Sequence, residues 1–394
     1  MNSQALLQNN LERLPDQHHL DYSKRVNLGG YYTQSEYVSV VWDFIRPFLT
    51  PGSYVFDSSC GYGNFLRQLP GIHIVGNDID FAATQIAKQN KPFAEIYAFN
   101  ALMTFDRASY GIPDDTPLFI IGNPPYNDTT SIIRNGTKKL LFEVDPAVQS
   151  RDLGISFLLS YGRLQADYVC VLHPLSYLIK RTNFMSMKSF AESYRLANSM
   201  IISSGVFSET SKTMQFPIII ALYEKNLFGM DYAHIRSYEF NTVEGRRFSM
   251  NQFDFIGDHI TKYPSRNFTQ PDNDAILFYT MRDLNALKRN RTFLDKYETN
   301  AIVVRPDKLI YYIYADVVKE FSWCFPYYFG NFDVLLKNDL LMKYKDFFIS
   351  NALSRNQFLR KFYPEFKIID GADLKIIEYF KLLLGEHYVE GKNY

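Results

Sequence analysis

Asn123-Pro124-Pro125-Tyr126 joins residue types that could hold a planar amine. The Asn123 side-chain oxygen and the Pro124 carbonyl are two acceptors close together. They suit the two N–H bonds of an exocyclic amino group, and holding both turns the nitrogen lone pair toward an electrophile. Tyr126 offers a flat face to the ring that carries the amine. The tetrapeptide follows the apolar run Pro117-Leu118-Phe119-Ile120-Ile121-Gly122, which reads as a buried parallel strand stopped by glycine and proline. Its chemistry would sit at the carboxyl edge of an open α/β sheet, where such sheets build their sites. Taken alone, these four residues also make an ordinary strand-ending turn, so the flanking sequence has to decide.

Upstream, Asp57-Ser58-Ser59-Cys60-Gly61-Tyr62-Gly63 follows a short strand pattern, Tyr54-Val55-Phe56. Two glycines let the backbone approach a ligand, but the third glycine of a dinucleotide fingerprint is missing, and an acid at the head of the loop repels phosphate. The same acid welcomes an ammonium group, which points to S-adenosyl-L-methionine. Asp78, at the tip of the next strand about twenty residues on, is placed to take both hydroxyls of a ribose.

The elements that must carry these residues read in order. Residues 1–26 form a polar arm containing His18-His19, whose adjacent rings diverge and make a poor metal pair. After the glycine-hinged turn of residues 27–34, the apolar spacing predicts a helix over 35–45 with Ser35 as N-cap. Strands are expected over 54–57, 72–77, 95–99 and 117–122, with helices over 64–69 and 81–90 between them. Residues 127–139 are polar, carry Arg134, Lys138 and Lys139, and read as a loop. A helix over 153–164, a strand over 167–172, a helix over 183–194 and a strand over 199–202 follow. After a turn over 208–213, the run 216–223 is expected to pair with the preceding strand as a hairpin. Strands alternating with helices make a doubly wound, mostly parallel sheet the natural architecture. From residue 226 the pattern changes to short aromatic runs and isolated basic pairs, Arg246-Arg247 and Arg289-Asn290-Arg291, with a last helix over 374–384.

Composition sets the outer bounds. At 394 residues, 46% hydrophobic and 21% charged, the chain has core enough for two domains or for one large domain with an addition. No stretch approaches ~18 uncharged apolar residues, and Met1-Asn2-Ser3-Gln4 opens no signal peptide, so a cytoplasmic protein without membrane contact is expected. Cys60, Cys170 and Cys324 lie too far apart in sequence for a CxxC pair or a zinc cluster, which implies a reducing compartment and no metal. Formal charge is zero, and a basic stripe can hide in a balanced total. The 29 Tyr and 33 Phe must mostly be core, with a few free to stack on bases.

With loop, ribose acid and Asn-Pro-Pro-Tyr in this order, residues 27–223 resemble the S-adenosylmethionine-dependent amino-methyltransferases. The closer likeness is to DNA N6-adenine methyltransferases whose target-recognition domain is C-terminal. The resemblance implies an α/β fold, a Rossmann-like class I methyltransferase sheet, with a mixed C-terminal domain. Residues 1–26 would be an arm, 27–225 the cofactor-binding catalytic domain and 226–394 the DNA target-recognition domain. Tyr31-Tyr32-Thr33 match the motif touching the methionine end, with Thr33 as the contact. Asp57, Gly61 and Gly63 match the cofactor loop, Asp78 the ribose acid and Ile79 an adenine contact. Asn100-Ala101 fall where the family commonly has an Asp reading the cofactor adenine, a bond an Asn oxygen can still accept. Phe207, after Gly205-Val206, fits the aromatic position that stacks with Tyr126 on an extruded base. The implied catalytic set is Asn123, Pro124, Pro125 and Tyr126. The implied partners are double-stranded DNA and a separate restriction endonuclease.

The chemistry agrees with the residue types. Adenine N6 is a weak nucleophile, so transfer needs positioning more than a strong base. Methylation of cytosine C5 would need a thiolate in this loop, and none is there. Flipping a base costs a few kcal/mol, and stacking at roughly 1–3 kcal/mol per aromatic is the right size to offset it. Three other readings compete. An amino-methyltransferase acting on RNA or on a protein glutamine would use the same tetrapeptide. A metal nuclease would use Glu365-Phe366-Lys367 with Asp346, but no strand pattern frames that triplet. A non-catalytic DNA binder would have no reason to keep both motifs intact.

Overall fold

The structure is a computed structural model that describes residues 33–126, 143–207, 215–265 and 274–391. The expected arm over 1–26, Tyr31 and Tyr32, the loop over 127–139 and the turn over 208–213 lie outside those residues.

Seven strands form the main sheet: β1 (Tyr54–Asp57), β2 (His73–Asn77), β3 (Glu95–Tyr97), β4 (Leu118–Gly122), β5 (Tyr168–Pro174), β6 (Tyr194–Ser203) and β7 (Pro217–Lys225). Their order is β3-β2-β1-β4-β5-β7-β6, with β7 alone antiparallel to its neighbours. This is the α/β, Rossmann-like, mostly parallel sheet that the sequence predicts. The order reverses between β1 and β4, so the crevice of the sheet opens at their carboxyl ends. In β4, Leu118, Phe119, Ile120 and Ile121 are all buried, as expected for a parallel strand covered on both faces. Each such side chain contributes about 1.5–3 kcal/mol by leaving water.

Helices α1 (Ser35–Ile45), α2 (Phe81–Asn90) and α3 (Leu153–Arg163) flank this part of the chain. α2 is capped by Asp80, whose Oδ1 accepts from the amides of Ala82 and Ala83, and α3 by Asp152, which accepts from Gly154. The N-cap of α1 is Gln34, not Ser35, and its side chain makes no capping bond.

Two expected helices change. Residues 64–65 end a turn and 66–69 are irregular chain instead, because adjacent Phe65 and Leu66 are both buried and the Phe65 carbonyl accepts from Trp42 Nε1 at 2.8 Å. Residues 183–194 split at the buried Met187 into two short helices, Arg181–Ser186 and Lys188–Ala191. Tyr194 already opens β6, its hydroxyl donating to the Ala166 carbonyl and its ring stacked on Phe190 at 4.4 Å.

Beyond β7, a three-stranded antiparallel sheet (Leu277–Tyr279, Phe293–Leu294, Ala301–Val303) precedes α4 (Leu309–Glu320), α5 (Asn338–Arg355) and α6 (Ala372–Leu384). Much of the aromatic content packs here, with Tyr314, Phe348, Tyr379 and Phe380 in mutual ring contact. One hydrophobic cluster runs without a break from α1 through the main sheet to α6. Polar contacts reinforce the junction: Lys180 pairs with Asp283, Asn285 Nδ2 donates to the Gln215 carbonyl at 3.1 Å, and Val243 N donates to the Ile201 carbonyl at 2.9 Å.

Asp283 serves both sides of that junction, since its other oxygen caps the helix Leu284–Arg289 through Ala286 N at 2.7 Å. Asp283→Ala should cost about 1–3 kcal/mol in urea unfolding. Because the core is continuous, tryptophan fluorescence and far-UV circular dichroism should shift together in one transition. A second, earlier transition in either signal would contradict the continuous core.

Candidate active site

Among the described residues, three groups at the carboxyl ends of β1 and β4 lack the partners that buried polar groups normally have. The carboxyl of Asp57, the last residue of β1, is 1% exposed, and its protein hydrogen bond comes from Ser59 N to Oδ1 at 3.1 Å. Burial, with a further push from the charge of Asp78, raises its pKa to about 8. Asn123 Oδ1 and Ser59 Oγ are each buried with no hydrogen-bond partner among the described residues. Asn123 is held from its other end, Nδ2 donating to Thr33 Oγ1 at 3.2 Å. Thr33 is itself buried and fixed by Asn64, whose Nδ2 donates to the Thr33 carbonyl. The structure therefore brings Thr33, Asp57 and the Asn-Pro-Pro-Tyr turn to one place.

Gly122 makes that approach possible. Its φ is +138°, and a Cβ there would lie 2.7 Å from Asp57 Oδ1. Pro124 and Tyr126 are buried, while Pro125 is half-buried. Behind Tyr126, a Cβ on Gly154 would lie 2.9 Å from Tyr126 Cβ and 2.5 Å from the Tyr177 hydroxyl, so α3 can pass this close only as glycine. Tyr177 donates to Asp152 and stacks on His173 at 5.1 Å. Burial lowers the His173 pKa to about 4, so the ring is neutral, with Nε2 2.7 Å from the Tyr223 hydroxyl.

The glycine loop is tied to β2. Gly61, at φ +52°, donates its amide to Asp78 Oδ2 at 2.8 Å, and Asp80 N donates to Asp78 Oδ1 at 2.9 Å. Gly63, at φ +84°, completes the turn through its amide bond to the Cys60 carbonyl at 2.8 Å. Asn77, fully buried, latches three strand ends: Nδ2 donates to the carbonyls of Ser58 and Phe99, and Oδ1 accepts from Phe99 N at 2.9 Å. Ile79 is exposed beside this loop. Asn100 closes the next loop, Nδ2 donating to the Glu143 carbonyl at 2.7 Å and Oδ1 accepting from Leu102 N; that oxygen keeps a second lone pair. Ala101 is buried. Phe207 is 2% exposed within the core, at the end of a turn whose Val206 carbonyl accepts from Gln34 Nε2 at 2.9 Å.

Asn64, Asn77, Asp152, Gly154 and Tyr177 have no site role in the sequence reading, and Gly122 enters it only as the end of a strand. Only Asp152, a capping residue before a helical pattern, left a local signal; the others matter through contacts across the sheet. Glu365 and Lys367 lie in exposed irregular chain, and Asp346 lies on the exposed side of α5. Among the described residues no cluster of His, Cys, Asp and Glu could hold a metal, and no helix is long and apolar enough to cross a membrane.

A carboxyl buried at the crevice calls for a cation, while the linked Asp78 suits a diol. S-adenosylmethionine, with an ammonium and a sulfonium at one end and a ribose at the other, fits both. A carboxyl with a folded pKa near 8, above its ordinary 3.8, favours the folded chain at low pH. That contribution is lost as pH rises from about 4 through 8. The free chain should therefore melt at a lower temperature at pH 9 than at pH 6, and Asp57→Asn should flatten the difference while weakening cofactor binding. A variant with the slope of the unaltered chain would contradict the Asp57 assignment.

No protein-family model matches this chain, and no curated protein matches it. Among solved structures it is similar to a protein described as the modification subunit of a type I restriction enzyme from Vibrio vulnificus YJ016, at 16% identity and a TM-score of 0.40, over 56% of this chain and 49% of that one. The chain thus spans about half the length of that protein. A type I restriction-modification methyltransferase subunit from Streptococcus thermophilus is 12% identical with a TM-score of 0.38, over 79% of this chain and 57% of that one. A protein described as an RNA methyltransferase from Pyrococcus horikoshii is 14% identical with a TM-score of 0.34, over 51% of this chain and 89% of that one.

Proposed function

We propose that the chain is a site-specific DNA adenine-N6 methyltransferase, moving the methyl group of S-adenosylmethionine to an adenine flipped out of the duplex. It would serve a restriction-modification system with a separate endonuclease. Asn123 Oδ1 carries the reading, as a buried acceptor at the end of β4 with no donor among the described residues. An acceptor left unmade in a dry site costs about 1–3 kcal/mol, which a ligand amine would recover.

S-adenosylmethionine supplies an electrophilic methyl group when bound. Asn123 Oδ1 and the Pro124 carbonyl accept the two N–H bonds of the incoming amine, and the Thr33 bond to Asn123 Nδ2 keeps the oxygen turned to the site. Tyr126, braced by Gly154 and the Tyr177 network, limits where the ring can lie. Asp57 balances positive charge at the crevice. After transfer the amine loses its extra proton to water, so no titrating base is demanded. His173 is neutral and engaged, and the Cys60 thiol is pushed well above its ordinary pKa by burial. Neither offers a nucleophile for carbon methylation.

The clamp would equally take a glutamine carboxamide or an RNA adenine. The long C-terminal addition, with its dispersed basic residues, supports DNA, since some can contact phosphates and others base edges. Asn123→Ala should lower methyl transfer to DNA by about 100-fold or more while leaving S-adenosylmethionine affinity by calorimetry unchanged. Retained transfer in that variant would overturn the assignment of Asn123.

A further inference from the structure

Ser58, Ser59 and Cys60 follow Asp57 directly, and their side chains fare differently. The Ser58 hydroxyl is shared with the Tyr161 hydroxyl on α3 at 2.8 Å, and Cys60 Sγ reaches the Gly61 carbonyl at 3.7 Å. Ser59 Oγ is buried and has no partner among the described residues. The turn does not need it: Ser59 N donates to Asp57 Oδ1, Cys60 N to the Asn77 carbonyl, Gly61 N to Asp78 and Gly63 N to the Cys60 carbonyl. A hydroxyl that builds nothing and is shut from water lowers the stability of the free chain. Its residue lies two positions past Asp57, in the loop at the carboxyl end of β1.

We propose that Ser59 is a further cofactor-binding residue, its hydroxyl donating to the carboxylate at the methionine end of S-adenosylmethionine. This rests on the proposed cofactor. An amino-acid end carries one cationic and one anionic group. Asp57 repels the anion and takes the ammonium, which leaves the carboxylate for a neutral donor beside it. The ribose end is the province of Asp78, tied to the other side of the loop.

The test compares Ser59→Ala with the unaltered chain by calorimetry, using S-adenosylhomocysteine, which keeps the amino-acid end, and methylthioadenosine, which lacks it. Loss of a hydrogen bond to a charged group should weaken S-adenosylhomocysteine roughly 10- to 100-fold and leave methylthioadenosine unchanged. The melting temperature of the free variant should equal or exceed that of the unaltered chain, because an unpartnered hydroxyl has gone. A purely structural serine would give the opposite sign, a lower melting temperature with both ligands weakened alike, and that result would overturn the proposal. Unchanged affinity for both would also overturn it. Ser59→Cys, nearly isosteric with a weaker donor, should fall between serine and alanine for S-adenosylhomocysteine. If the unaltered chain bound neither ligand, the proposed function would fail and this inference with it.

Discussion

A buried carboxyl, amide oxygen and hydroxyl lie at the carboxyl ends of β1 and β4 with too few partners among the described residues. Folding normally avoids this, because each unmet group costs about 1–3 kcal/mol, a sizeable part of a stability margin of about 5–15 kcal/mol. These groups lie where the strand order reverses between β1 and β4, the position at which flanking connections diverge and an open α/β sheet forms its crevice. Gly122 and Gly154 then bring backbone close enough to fix Asp57 and Tyr126 at its walls. The Asn77 latch and the Thr33 bond on Asn123 hold the loop ends and the amide of this region in place.

The parallel strands were legible because strands buried on both faces read as unbroken apolar runs, as in residues 118–121. The glycine loop and Asp78 were legible because turn chemistry is local. Residues 64–69 were not, since the choice between helix and turn rests on Trp42 reaching the Phe65 carbonyl from α1. Helix α4 was missed for a related reason. Leu309-Ile310-Tyr311-Tyr312-Ile313-Tyr314 has strand-like composition, yet it is helical because burial on most sides overrides propensity. Tyr177 and Gly154 lie far along the chain from Tyr126, and no local pattern marks them as its support.

The change of pattern at residue 226 was plain in the sequence, but it does not mark a break in the core. The hydrophobic cluster crosses it, and Lys180–Asp283 and Asn285–Gln215 join the later residues to segments beside the carboxyl edge of the sheet. Under the proposed function, a substrate held by the C-terminal part is presented to Asn123 with little freedom between the two. This is what methyl transfer to a weak nucleophile requires, because its rate depends on orientation more than on a base.

The atom that receives the methyl group is the most direct measure of the amine clamp. Labelled S-adenosylmethionine, incubated with the protein and with DNA, RNA or protein as acceptor, followed by digestion of each product to its monomers, identifies that atom. Label recovered as N6-methyladenine in the DNA digest is the predicted result. Label on a ring carbon such as cytosine C5, or in none of the acceptors while the cofactor still binds, would contradict it.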